Sequence, residues 1–381
     1  MRIQSKLYAL FALSLSVGML WSCAPAPADE SAELNGDGIP AYEVDPSWPP
    51  ELPNNWILGD VRGLFIEEEN DHLWVLHMPS SLTENRELGA ATDPPYAECC
   101  ISAPPVLELD PQGQVVQAWG GPGEGYVWPE GSQHGIFLDH NDFIWIGTSS
   151  VNHVVKFTRD GSHVLTIGEP GVDMGSNDPT HLSGPANFYV EPETNEIFIA
   201  DGYGNRRVVV FDAETGEYRR HWGAYGEQPD DEYTYEYPVD PTDPPLQYST
   251  VHGIVGSNDG LIYVADRQGN RVQVFRQDGE YLMERFVRPE TGGSGTGFSL
   301  ALSRDPEQRF IYLIDGTNNK VWILGRGDLE ILNSFGRTGR QISQFIRAHM
   351  VQLDSHGNVY TGEAGNGKRL QKFSFRGMTT P

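Results

Sequence analysis

The chain has 381 residues and a formal charge of −27, from 26 Lys and Arg against 53 Asp and Glu. That balance excludes nucleic acid as the main partner and a polybasic membrane surface as the mode of attachment, because both need positive charge. With 16 Phe, 16 Tyr and 9 Trp the chain is too aromatic to be a disordered acidic polymer, and 43 Gly with 27 Pro supply many turns.

Met1 to Lys6 is a short basic region, followed by the mostly apolar run Leu7 to Leu20. The run is too short to span a bilayer comfortably, so residues 1–22 read as a secretory signal peptide. Leu20-Trp21-Ser22-Cys23 resembles the lipobox of bacterial lipoproteins, with Trp21 as an unusual member. The resemblance implies that Cys23 is lipidated and becomes the mature N-terminus; cleavage nearby with loss of Cys23 is the alternative. Ala24 follows the cysteine, which for such lipoproteins in a Gram-negative host implies the outer membrane. Residues 23–49 are rich in Ala, Pro, Asp and Glu and are expected to form a flexible linker. The chain is thus expected to be exported and held at the cell envelope by an N-terminal lipid.

Beyond Cys23 the cysteines are the neighbours Cys99 and Cys100. Export permits a disulfide between them, closing a strained eight-membered ring, with two free thiols as the alternative.

From residue 50 to 376 the pattern is a repeat. Short apolar strands alternate with Gly, Asn and Asp turns, and no long 3.6-residue period occurs. Ile197-Phe198-Ile199-Ala200-Asp201-Gly202-Tyr203 recurs as Ile262-Tyr263-Val264-Ala265-Asp266-Arg267 and as Ile311-Tyr312-Leu313-Ile314-Asp315-Gly316. Divergent copies begin at Leu73, Ile144 and Val359. Each phrase reads as a hairpin whose Asp accepts hydrogen bonds from turn amides. With about four strands per unit, six units predict an all-β fold, a six-bladed β-propeller. The pattern resembles NHL repeats; residues 377–381 are left as a tail.

Aligning the first residue of each innermost strand gives the column Arg62, His134, Ala186, His252, Phe298, His349. Histidine occupies the second, fourth and sixth blades alone. With 11 histidines in the chain, chance produces such an alternation in about one case in two thousand after allowing for the choice of column. Alternate blades lie about 120° apart in a six-bladed ring. Three imidazoles at one level would therefore meet on the axis, a trigonal nitrogen set with a fourth position open, as in catalytic zinc sites. Fe, Cu or Co also suit three imidazoles. Tunnel histidines bonded to carbonyls or water are the structural alternative.

His134-Gly135-Ile136, Asp201-Gly202-Tyr203, His252-Gly253-Ile254, Ala265-Asp266-Arg267 and His349 resemble the lyase domain of peptidylglycine α-amidating enzymes, a six-bladed propeller that splits peptidyl-α-hydroxyglycine into a peptide amide and glyoxylate. The resemblance implies zinc on His134, His252 and His349, Tyr203 as base and Arg267 as its electrostatic partner. A phenol titrates near 10 in water, so such a base needs a cation close by. Two departures stand out. The family carries an arginine after the histidine of its first blade, where Leu76-His77-Met78-Pro79 places methionine; Arg62 is a candidate substitute. The family's structural calcium uses an Asp after the third histidine, where Met350 stands. The insertion Gly226 to Ser249 reads as a solvated loop, with calcium binding or covering of the tunnel as alternatives.

Three functions compete on this evidence. The first is a metal-dependent lyase acting on a hydroxylated carbon beside an amide nitrogen of a small-molecule or peptide substrate. The second is a non-catalytic NHL propeller that binds a protein or envelope ligand. The third is another metal-dependent propeller enzyme, a hydrolase or lactonase.

Overall fold

The computed structural model describes residue 34, residues 36–83 and residues 86–380. The expected signal peptide, Cys23 and the first part of the expected linker lie outside the described residues.

Six four-stranded antiparallel sheets form the blades, and no α-helix occurs among the described residues. The innermost strands are Asp60–Ile66, Gln133–Leu138, Pro185–Glu191, Val251–Gly256, Leu300–Leu302 and Ala348–Leu353 for blades one to six. The six apolar clusters each fill one interface between consecutive blades; one joins Trp74, Leu76 and Val106 of blade one to Ile136, Ile144 and Phe157 of blade two. The core is therefore a ring of six wedges. A blade buried on both faces needs apolar residues at successive positions, which explains why second strands read Ile197-Phe198-Ile199-Ala200 with no polar alternation.

The linker and tail boundaries need correction. Ile39–Val44, expected in the flexible linker, is the outermost strand of blade six, paired antiparallel with Leu370–Thr379. Residues 377–379 accordingly belong to that strand as well. Strand Ile39–Val44 is half-buried against the last blade; Tyr42 meets the Tyr312 hydroxyl at 2.5 Å, and the Trp48 ring stands edge-on to Tyr360. A strand from the start of the chain closes the ring on a strand from its end, and gives blade six the fourth strand that the other blades have.

The turn Asp residues are expected to accept from turn amides; Asp266 does so from Gly269 N at 3.3 Å, but Asp201 and Asp266 mainly hold the connection that precedes their blade's innermost strand. Asp201 accepts from Ser183 N, Asn205 Nδ2 and Arg207 Nε at 2.7–2.9 Å. Asp266 accepts from Ser249 N and Thr250 N at 3.0 Å and from Arg271 Nε at 3.1 Å. The arginines then reach the long interblade connections. Arg207 donates to the carbonyls of Ser176, Asp178 and His181, and Arg271 to those of Pro245 and Gln247. These buried pairs pin the loops on the face where Tyr203 and Arg267 emerge.

Candidate metal centre

The innermost strands are not regular at the tunnel. Pairing with the second strand slips between Val61 and Gly63, His134 and Ile136, Pro185 and Asn187, Val251 and Gly253, and Ala348 and Met350. A β-bulge re-aims the side chain beside it, and here it turns the aligned column toward the axis. In blade two the extra residue is Gly135, at φ +73°, where a Cβ would lie 2.7 Å from the Ala186 carbonyl oxygen.

His134, His252 and His349 come together as one buried group. Their ring centroids are 4.9, 5.0 and 5.3 Å apart, close to an equilateral triangle. Each Nδ1 faces a backbone carbonyl of the next blade: His134 that of Ala186 at 2.6 Å, His252 that of Phe298 at 2.5 Å, His349 that of Val61 at 3.0 Å. A carbonyl only accepts, so each Nδ1 carries the proton and each Nε2 keeps its lone pair. Burial, reinforced by Arg62, pushes His134 down to about 3. Burial first, and neighbouring cationic and imidazole groups next, hold His252 and His349 well below the usual histidine range. The cluster is thus three neutral imidazoles with fixed tautomers, the form a metal requires.

Tyr203 follows Asp201 and Gly202 at the exit of a second strand. A Cβ on Gly202 would lie 2.1 Å from the Val251 oxygen and one on Gly204 would lie 1.9 Å from Ser183 Oγ, so only glycine lets the chain turn here. The Tyr203 hydroxyl lies 3.0 Å from His134 Nε2, 2.9 Å from His252 Nε2 and 3.2 Å from a guanidinium nitrogen of Arg267. The Arg267 guanidinium sits 5.1 Å from the ring centres of both Tyr203 and Phe298. A phenol has one proton and can satisfy one of the two nitrogens; the other faces an oxygen lone pair. A cation among these atoms removes that conflict, and three neutral imidazole nitrogens suit a divalent transition ion. The donor set fits a metal.

Arg62 enters from blade one, bonded to Asp60 at 2.6 Å, and its charge acts on all three histidines. Met350 is buried in the cluster between blades six and one, so the expected calcium carboxylate is replaced by a core side chain. Cys99 and Cys100 are joined by a disulfide in the excursion between the second and third strands of blade one. In the 226–249 insertion, Asp230 and Asp240 accept from amides of their own turns and Asp231 from Ser176, which leaves them to hold the loop. Glu67, His72 and Glu108 form a second ligand-like group, but Arg159 bridges the carboxylates at 2.7 and 2.9 Å. That group is a salt-bridge network between the first two blades.

Sequence reasoning missed Arg347, two residues before His349, whose charge acts on Arg62, Arg267 and Tyr203. Aligning the strand approaches as well as the column would have exposed it. It also missed the three carbonyls that orient the imidazoles, for which side-chain identity carries no signal.

Fold and centre together define a six-bladed β-propeller with a buried three-histidine site of metal-binding type. Compared with known proteins, the chain is similar to peptidylglycine alpha-amidating monooxygenase of Rattus norvegicus, with 24% identity over 361 residues, covering 89% of this chain and 32% of that protein. It is also similar to peptidyl-alpha-hydroxyglycine alpha-amidating lyase 1 of Drosophila melanogaster, at 25% over 309 residues, 72% of this chain and 50% of that one. NHL repeat-containing protein 3 of Homo sapiens matches at 24% over 288 residues, 71% of this chain and 72% of that one. The chain spans about a third of the length of the monooxygenases it matches. No family model matches. Among solved structures, virginiamycin B lyase from Staphylococcus aureus shares the fold, with a TM-score of 0.51, 12% identity, and coverage of 88% of this chain and 99% of that one.

Proposed function

We propose that the protein is a metal-dependent lyase that cleaves the carbon–nitrogen bond of a carbinolamide, of the N-acyl- or peptidyl-α-hydroxyglycine type. The observation that carries this reading is the convergence of the Tyr203 hydroxyl on two imidazole Nε2 atoms and on Arg267. The names of the similar proteins support it.

A divalent ion such as zinc, held by the three Nε2 atoms, would acidify a hydroxyl brought to it. The Tyr203 oxygen stands where it can take that hydroxyl proton, and Arg267 balances the charge there. The substrate C–O bond becomes a carbonyl, the C–N bond breaks, and the amide nitrogen takes up a proton. An α-hydroxyglycine substrate would give a primary amide and glyoxylate, and atoms and electrons balance without an oxidant. Export and attachment through a lipid on Cys23 complete the proposal and rest on the first 23 residues alone.

A binding propeller is the second reading, favoured by Met78 in place of the family arginine. One experiment separates the two. The protein from residue 24 onward, and its His252→Ala variant, would be analysed for metal by elemental mass spectrometry and for glyoxylate release from a peptidyl-α-hydroxyglycine. About one zinc per chain and turnover, both lost in the folded variant, support the lyase. Tyr203→Phe should retain metal and lose about 10²–10⁴-fold in kcat. No metal after zinc reconstitution would sink the lyase reading.

A further inference from the structure

The tunnel mouth holds more positive charge than its neighbours balance. Arg62 has one carboxylate partner, Asp60. Arg267 has none among the described residues; its side-chain hydrogen bond is to the Tyr203 hydroxyl. The Nε atoms of both Arg62 and Arg267 are buried without a hydrogen-bond acceptor. Arg347, exposed at the approach to His349, forms no hydrogen bond or ion pair among the described residues, yet its charge acts on Arg62, Arg267, Tyr203, Asp60 and His349. Its carbonyl accepts from Ala364 N at 3.0 Å, which fixes the backbone from which the side chain extends. Three guanidinium groups thus face one carboxylate, in a chain whose net charge is −27.

Buried donors without acceptors are costly, and nature fills such places with ligand or water. Guanidinium forks match planar carboxylates. On blade one, Met78 pairs with Asp60 at the same mouth and offers no charge. We propose that Arg347 is a substrate-recognition residue that, with Arg267, receives a carboxylate next to the reacting carbon, supplying from blade six the charge that Met78 does not supply from blade one. This rests on the lyase reading and assigns the residue that recognises its substrate's carboxylate.

The test uses the purified zinc-loaded protein and calorimetric binding of N-benzoylglycine, which carries the carboxylate, against N-benzoylglycinamide, which does not. Wild type should favour the acid. Arg347→Met should weaken the acid about tenfold to a hundredfold and leave the amide unchanged. Adding Met78→Arg to Arg347→Met should recover much of the preference. Equal loss of both ligands in Arg347→Met, or no loss of the acid, would overturn the proposal, as would a wild type blind to the carboxylate. Acid-selective binding that depends on Arg347, without turnover of an α-hydroxyglycine, would overturn the lyase reading and leave the anion site standing. Turnover with no effect of Arg347 would do the reverse.

Discussion

The histidines make the metal-free protein sensitive to mild acid, and the effect can be sized. His134 is pushed down to about 3 by burial and Arg62. His77 is pushed down to about 4 by burial; it accepts from Gly59 N and donates to the Pro104 carbonyl, both at 3.0 Å. In the unfolded chain both titrate near 6.5, so below that pH the unfolded state binds more protons than the folded one. Their stabilisation is complete above about pH 6.5 and is lost as pH falls toward the folded values. At pH 5 each costs about 2 kcal/mol relative to pH 8, or about 4 kcal/mol together. His252 and His349 act in the same direction. Asp201, raised by burial despite Arg207, works against them. Urea unfolding in chelator at pH 8 and pH 5 would measure the total. The His77→Asn variant would isolate one part of it, since aspartate effects cancel between the two proteins. The variant should lose about 2 kcal/mol less than wild type over that range. An equal loss in both would refute the reasoning.

Asp266→Ala should cost about 3–5 kcal/mol, because it leaves the wholly buried Arg271 with only the longer 3.4 Å pair to Glu284, and a thermal melt would read it. Gly135→Ala should weaken metal binding about 10–100-fold by displacing the Ala186 carbonyl that orients His134; titration against a competing chelator would show it. Removing the chain through Val44 should lower the melting temperature, since it strips blade six of its outermost strand and Tyr312 of its hydroxyl partner.

Most of the fold was legible because a blade buried on both faces repeats the same apolar phrase, and six phrases count the blades. Ring closure was not legible. Ile39–Val44 sits in a polar, proline-containing stretch, and its strand character comes from a partner more than 300 residues away. The metal ligands were legible because three-fold placement needs histidine at matching positions of alternate blades, a pattern that survives in one dimension. Arg347 escaped because it approaches the mouth from just outside that column. The orienting carbonyls escaped because any residue supplies one.

The alternation has a physical purpose that the column alone does not reveal. Six imidazoles at one level would crowd the axis, and three on adjacent blades would lie to one side. With histidines on the even blades, the carbonyls of Ala186, Phe298 and Val61 on the odd blades are free to take the three Nδ1 protons. Even blades hold the ligands and odd blades hold their orientation. A metal on the three Nε2 atoms would therefore tie all six blades through one point, directly or through one hydrogen bond. Folding and metal binding should then be coupled. Free zinc a thousandfold above its dissociation constant should add about 4 kcal/mol of stability. That gain should vanish in His252→Ala, where the triangle is open. A melting temperature indifferent to zinc in the wild type would mean that the three imidazoles are a structural knot, and the odd-blade carbonyls only its fastening.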